Sequence, residues 1–180
     1  SALMERWNAD QCIDFIHRVG GTMTVGATPF LQELLDAAER RNDPLPSMRV
    51  FSCGGAAVPP GLVLRAYDLL ENCRTVRVYG STEAPIITLG WLNDAQLAAT
   101  TDGHAYGYEV RIVDDEGVEV PDGEDGEITA RGAGMFLGYA DEAQNAEAHT
   151  EDGFFHTGDI GRKTPEGAVL ITDRKKDIII

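Results

Sequence analysis

The chain has 180 residues, 43% of them hydrophobic and 25% charged, with a formal net charge of -15. That size holds one ordinary domain or two small ones. A surface so acidic argues against nucleic acid and anionic membranes as partners, because phosphate contacts need Lys and Arg. Cys12, Cys53 and Cys73 are an odd and unclustered set, neither a disulfide framework nor a metal cluster. They fit a reduced, cytoplasmic setting. No apolar run approaches the roughly 20 residues of a membrane helix, and the first residues carry no secretory signal.

The first third alternates helix and strand. Asn8 precedes Gln11 by three, a capping-box spacing. Cys12, Phe15, Ile16 and Val19 then form one apolar stripe, which Gly20-Gly21 ends. Thr22 to Val25 is short and β-prone. Thr28 reads as a helix cap with Pro29 at the first helical position, and Phe30, Leu31, Leu34, Leu35 and Ala38 form the buried face of that helix. Asp43 to Pro46 breaks it. Met48 to Cys53 is a strand candidate closed by Gly54-Gly55. Pro59-Pro60 opens a third helix with Leu62, Ala66, Leu69 and Leu70 inward, and Arg74 to Tyr79 returns as a strand. This rhythm predicts parallel strands with helical crossovers.

After about Leu92 strands shorten and turn signals crowd in. Glu109 to Val113 alternates strictly, Asp114 to Gly117 turns it into Val118-Glu119-Val120, and Pro121-Asp122-Gly123 turns again. Gly126 to Gly132, Phe154 to His156 and Ala168 to Ile171 are further strands, with a short helix near Asp141 to His149. The spacing predicts an antiparallel sheet or small barrel. The acidic positions from Asp114 to Glu127 read as a solvated face, and Arg131 as another structural charge. His17, His104, His149 and His156 have no metal spacing.

Val78 to Glu83 has the most chemistry. A strand ends at Gly80 and delivers a flat ring, two hydroxyls and one acid to the same place. Ligand sites of open α/β sheets lie at such strand ends. The ring can stack on a base, a hydroxyl can bond a phosphate, and Glu83 can hold the Mg²⁺ that travels with nucleoside triphosphates. The six residues alone read equally well as a polar turn.

Five stretches stand in one order: Cys53-Gly54-Gly55-Ala56-Ala57; Tyr79-Gly80-Ser81-Thr82-Glu83; Gly126-Glu127-Ile128 with Arg131-Gly132, Met135 and Gly138-Tyr139; Asp152 to Asp159; and Asp173-Arg174-Lys175-Lys176-Asp177. Jointly they resemble the adenylate-forming (AMP-binding) enzymes, from about Trp7 to the last residue, and most resemble the carboxylic-acid and fatty-acid CoA ligases. The resemblance implies an α/β fold followed by mainly β: a parallel strand–helix layer, then a small distorted antiparallel β-barrel. It divides the chain into 1–95 with half of a nucleotide pocket, 96–172 as the barrel-like part, and 173–180 as a hinge segment.

That family joins a carboxylate to the α-phosphate of Mg·ATP, releasing pyrophosphate, then passes the acyl group to a thiol, commonly coenzyme A. The resemblance implies that Gly54, Gly55 and Ala56 run beside the adenine, that Tyr79 lies on its face next to Gly80, and that Thr82 bonds the α-phosphate. It implies that Glu83 ligates Mg²⁺, that Asp159 and Arg174 hold the ribose, and that Lys176 is the hinge residue. It makes Val25, Gly26, Ala27, Cys53, Gly54, Gly80 and the Ala84-Pro85-Ile86 segment the acyl wall, small and apolar, which suits an apolar acid. Each piece has a plainer reading alone: Thr157-Gly158-Asp159 as a turn, Arg174-Lys175-Lys176 as a solvated basic tail. Asp173, where glycine is frequent, and Asn145-Ala146, where threonine is frequent, depart from the pattern.

The family's Ser/Thr/Gly-rich lysine loop has no counterpart before Trp7, and its C-terminal lysine has none after the hinge. The expectation is therefore a fragment of an acid–thiol ligase that does not turn over by itself and that pairs as a homodimer if truncation bares apolar surface. The alternatives are an adenylation domain of luciferase or peptide-synthetase type, and a non-catalytic nucleotide-binding module.

Overall fold

The computed structural model describes residues 4–175. Lys176 lies outside the described residues. The chain forms two units, Ser1–Arg77 with Trp91–Thr100, and Val78–Gly90 with Thr101–Ile180.

In the first unit, helix α1 (Ala9–Val19) starts where the Asn8 side chain accepts the Gln11 backbone N–H at 2.9 Å, and ends at left-handed Gly20. It buries Cys12, Ile13 and Ile16 toward helix α2 (Thr28–Arg41), while Val19, in its last turn, is 52% exposed. The α2 cap differs from the sequence expectation. Ala27 is the N-cap and makes no side-chain cap bond; Thr28 is the first helical residue, and its hydroxyl donates to the Ala57 carbonyl at 2.9 Å. Phe30 is 39% exposed rather than buried, with its ring 4.9 Å from that of Trp7.

Strands β1 (Met23–Gly26) and β2 (Val50–Gly54) pair in parallel, Gly26 opposite Cys53. Strand β3 (Arg74–Tyr79) follows β2 in the strand order. Helix α3 (Pro60–Leu69) begins after Pro59 and packs on α4 (Ala95–Thr100), a helix the sequence reading omitted. Leu31, Leu34, Leu35, Met48, Phe51 and Val63 are at most 1% exposed, each contributing about 2 kcal/mol of apolar burial. All three cysteines are free and buried in this core. Burial pushes the Cys73 thiol up to about 11. Trp7 and Trp91 pack against the same core.

In the second unit, the end of β3 pairs antiparallel with β4 (Thr88–Leu89), and β4 with β5 (His104–Ala105). Neither short strand was legible in the sequence. Gly103, at φ +88, is required here: a Cβ would lie 2.1 Å from the Leu89 carbonyl oxygen. The second sheet runs β6 (Tyr108–Val113), β7 (Gly126–Gly132), β8 (Phe155–Lys163), β9 (Val169–Arg174), antiparallel throughout. Its core is Ile87, Ile112, Ile128, Ala130, Phe155 and Val169. Helix α5 (Glu142–Ala148) is capped by Asp141, which accepts the Ala143 N–H.

Two local expectations change. Val118 to Val120 is not a strand; only an isolated bridge joins Glu119 to Val113, because the Asp114 carboxylate takes the Glu116 and Val118 N–H groups. Strand β8 is longer than expected, with a register shift between Ile160 and Gly161, and so carries Thr157-Gly158-Asp159 within it. No helix among the described residues is long and apolar enough to cross a membrane.

Candidate functional site

A cleft of about 850 Å³ opens in the second unit, lined in part by Gly80, Ser81, Glu83, Tyr139, Asp159 and Arg174. Its first wall follows from the end of β3. Gly80 allows no side chain, since a Cβ would lie 2.5 Å from the Ile86 nitrogen. The turn beyond is closed twice through Ser81: its N–H donates to the Ala84 carbonyl at 3.1 Å, and its hydroxyl accepts the Ala84 N–H at 3.2 Å. This turn leaves Glu83 at the cleft and Thr82 exposed between lining residues.

Strands β8 and β9 supply the second wall. Asp159 is the register partner of Arg174, and the Arg174 Nε lies 3.7 Å from the Asp159 carboxylate. The Tyr79 hydroxyl donates to the other carboxylate oxygen at 2.7 Å. Tyr79 therefore meets the cleft through Asp159 rather than lining it. Burial pushes its phenol well above the ordinary value, so it remains a donor at any physiological pH. Asp159 offers two acceptor oxygens beside an exposed guanidinium, an arrangement suited to neighbouring hydroxyls of a sugar.

Glu83 accepts a hydrogen bond from the Tyr139 hydroxyl at 3.0 Å. Its own backbone N–H first, then Ser81, Tyr139 and the Arg174 charge, outweigh partial burial and hold its carboxyl below the usual range. It is ionised at neutral pH and can hold a cation.

Sequence reasoning missed a further carboxylate in the cleft, beyond Glu83 and Asp159. Glu127 is 9% exposed, not part of a solvated face. It accepts the Gly158 N–H at 3.2 Å and lies 3.3 Å from both the His156 ring and the Lys175 ammonium. Its place at the head of the buried Ile128-Thr129-Ala130 run was the available signal. Arg131 pairs instead with Glu109 at 2.6 Å and stacks over Phe154, as does Arg111.

In the first unit, Gly26 and Cys53 are paired at the carboxyl ends of β1 and β2. Val25 is 71% exposed, while Cys53 is fully buried, its thiol 4.0 Å from the Thr28 hydroxyl. Gly54 ends β2; Gly55, at φ +78, and Ala56 follow it and are exposed. Pro85 is exposed in the second unit. Tyr79, Glu83, Asp159 and Arg174 thus gather in one unit around one cleft, while Gly54, Gly55, Ala56, Val25, Ala27 and Cys53 belong to the other.

Fold and cleft together define a chain of the adenylate-forming class. A family model described as "AMP-binding enzyme" matches residues 1–140, and the chain belongs to that family. It is 35% identical over its whole length to the medium-chain fatty-acid–CoA ligase of Escherichia coli K12, covering 32% of that protein. It is 33% identical over 99% of its length to the indoleacetate–CoA ligase of Aromatoleum aromaticum, covering 35% of it. Among solved structures, the amide bond synthetase McbA of Marinactinospora thermotolerans superimposes with a TM-score of 0.90 at 30% identity, over 99% of this chain and 36% of that one. The chain thus spans about a third of the length of the proteins it matches.

Proposed function

We propose that the whole protein is an ATP-dependent carboxylic-acid–CoA ligase. The acid's carboxylate oxygen bonds to the α-phosphorus of ATP as pyrophosphate leaves; the coenzyme A sulfur then bonds to the acyl carbon as AMP leaves. The observation that carries this reading is the convergence of Glu83 with the Tyr79–Asp159–Arg174 group on one cleft in a chain of this family.

In this reading Asp159 and Arg174 hold the ribose, Tyr79 fixes Asp159 and borders the base, and Thr82 donates to the α-phosphate. Glu83 fits Mg²⁺: it is ionised and faces the cleft, with one oxygen oriented by Tyr139. No group of three or more His, Cys, Asp or Glu suited to a metal occurs among the described residues. One carboxylate completed by nucleotide phosphates and water is a common way of holding Mg²⁺, which would offset charge on those phosphates. Val25, Gly26, Ala27 and Cys53 of the first unit are assigned to the acyl group, favouring an apolar acid. Residues 173–180, with Lys176, are assigned as the link on which a further domain moves.

The test is pyrophosphate exchange followed by thioester formation, using full-length protein and a panel of aliphatic, alicyclic and aromatic acids. Exchange with an acid and thioester with coenzyme A are expected, and the 180-residue chain alone is expected not to turn over. Nucleotide binding without exchange would leave a non-catalytic module. A second reading, transfer of the acyl group to nitrogen, is favoured by the likeness to the amide bond synthetase McbA. Exchange without thioester would select it.

A further inference from the structure

We propose that Asn145 is a positioning residue for Glu83, acting through Tyr139; this rests on Glu83 being the metal-holding carboxylate. The Asn145 side chain bonds the Tyr139 backbone on both sides. Its Oδ1 accepts the Tyr139 N–H at 2.7 Å, and its Nδ2 donates to the Tyr139 carbonyl at 3.0 Å. A primary amide can do both at once because donor and acceptor sit side by side. The preceding Gly138 is at φ +137, and a Cβ there would lie 3.0 Å from the Asn145 Oδ1. The Tyr139 ring packs edge-on against Phe136, with centroids 4.8 Å apart, and Phe136 meets Phe155 in turn.

The other end of the relay reaches the cleft. The Tyr139 hydroxyl donates to one Glu83 oxygen at 3.0 Å, and the Phe136 N–H donates to the Glu83 carbonyl at 2.7 Å. Glu83 is thus held at backbone and side chain by the loop that Asn145 fastens to α5. A carboxylate turned by a fixed hydroxyl presents its remaining oxygen in one direction, which favours a cation that demands strict geometry. Asn145 touches neither Glu83 nor the reacting atoms; its effect is through orientation.

The experiment uses full-length protein with three single variants, Asn145→Ala, Tyr139→Phe and Glu83→Gln, and the double Asn145→Ala/Glu83→Gln. Mn²⁺ affinity is measured by proton relaxation in the complex with α,β-methylene ATP, and affinity for metal-free nucleotide separately. Asn145→Ala and Tyr139→Phe are each expected to weaken Mn²⁺ binding about tenfold, the scale for a group that orients a metal ligand. Metal-free nucleotide affinity should stay within about twofold, and Asn145→Ala should add nothing to Glu83→Gln. Unchanged Mn²⁺ affinity in folded Asn145→Ala, with Glu83→Gln impaired, overturns the proposal and leaves the metal assignment standing. Unchanged affinity in Glu83→Gln overturns the metal assignment instead. The relay is then judged by a crystal structure of Asn145→Ala. Separation of the Tyr139 hydroxyl from Glu83 beyond about 3.5 Å supports it, and an intact bond overturns it.

Discussion

Tyr79 and Asp159 lie 80 positions apart in sequence and share one hydrogen bond. Tyr79→Phe keeps the half-buried ring and removes only the donor, leaving Asp159 tied to Arg174 at the longer 3.7 Å. A hydrogen bond to a charged group is worth about 1.5–3 kcal/mol. AMP affinity by calorimetry is therefore expected to fall about tenfold in Tyr79→Phe. Asp159→Ala removes the acceptor itself and is expected to cost more. Equal affinity in Tyr79→Phe and wild type would show that Asp159 needs no second anchor. Of this site, the sequence made Tyr79, Glu83, Asp159 and Arg174 visible, because each stands in a short motif with a distinctive neighbour. Tyr139 stands in the Gly138-Tyr139 motif, but the sequence offers no role for it, since its partner Glu83 is 56 positions away. Glu127 was hidden because strict alternation assigns alternate strand residues to solvent, whereas β7 is buried from Glu127 to Ala130.

Long elements with strong periodicity or paired glycines read through from sequence to structure: α1 from its Asn8 cap, β3 from its β-branched run, β7 from a glycine at each end. Elements of two residues, β4 and β5, carry no period to detect, and their pairing depends on Gly103. Gly103→Ala is accordingly expected to lower stability by about 3 kcal/mol, combining left-handed strain with a backbone clash, as read by urea denaturation. A loss below about 1 kcal/mol would mean that the β4–β5 corner shifts freely to make room for the methyl group. Helix α5 depends on Asp141. Asp141→Ala is expected to cost about 1 kcal/mol through loss of the cap, seen first as faster amide exchange across 142–148.

At the scale of the whole chain, several carboxylates are held below their ordinary range by donors: Asp36 by Arg65, Glu109 by Arg131, Asp152 by the Thr150 hydroxyl, and Glu83 by its own backbone N–H. Their stabilisation is complete above the unfolded values near 4 and is lost as pH falls through the lower folded values. Melting temperature is expected to hold from pH 7 to about 5 and to drop below about 4 in calorimetry. A maximum below pH 4 would contradict the ion pairs. The two units also differ in their optical and chemical handles. Both tryptophans and all three thiols reside in the first, and the second has none of either. Indole emission and thiol-reagent labelling will therefore follow the opening of one unit only, and any cleft-side unfolding that precedes it will pass unseen unless tyrosine or amide signals are recorded alongside.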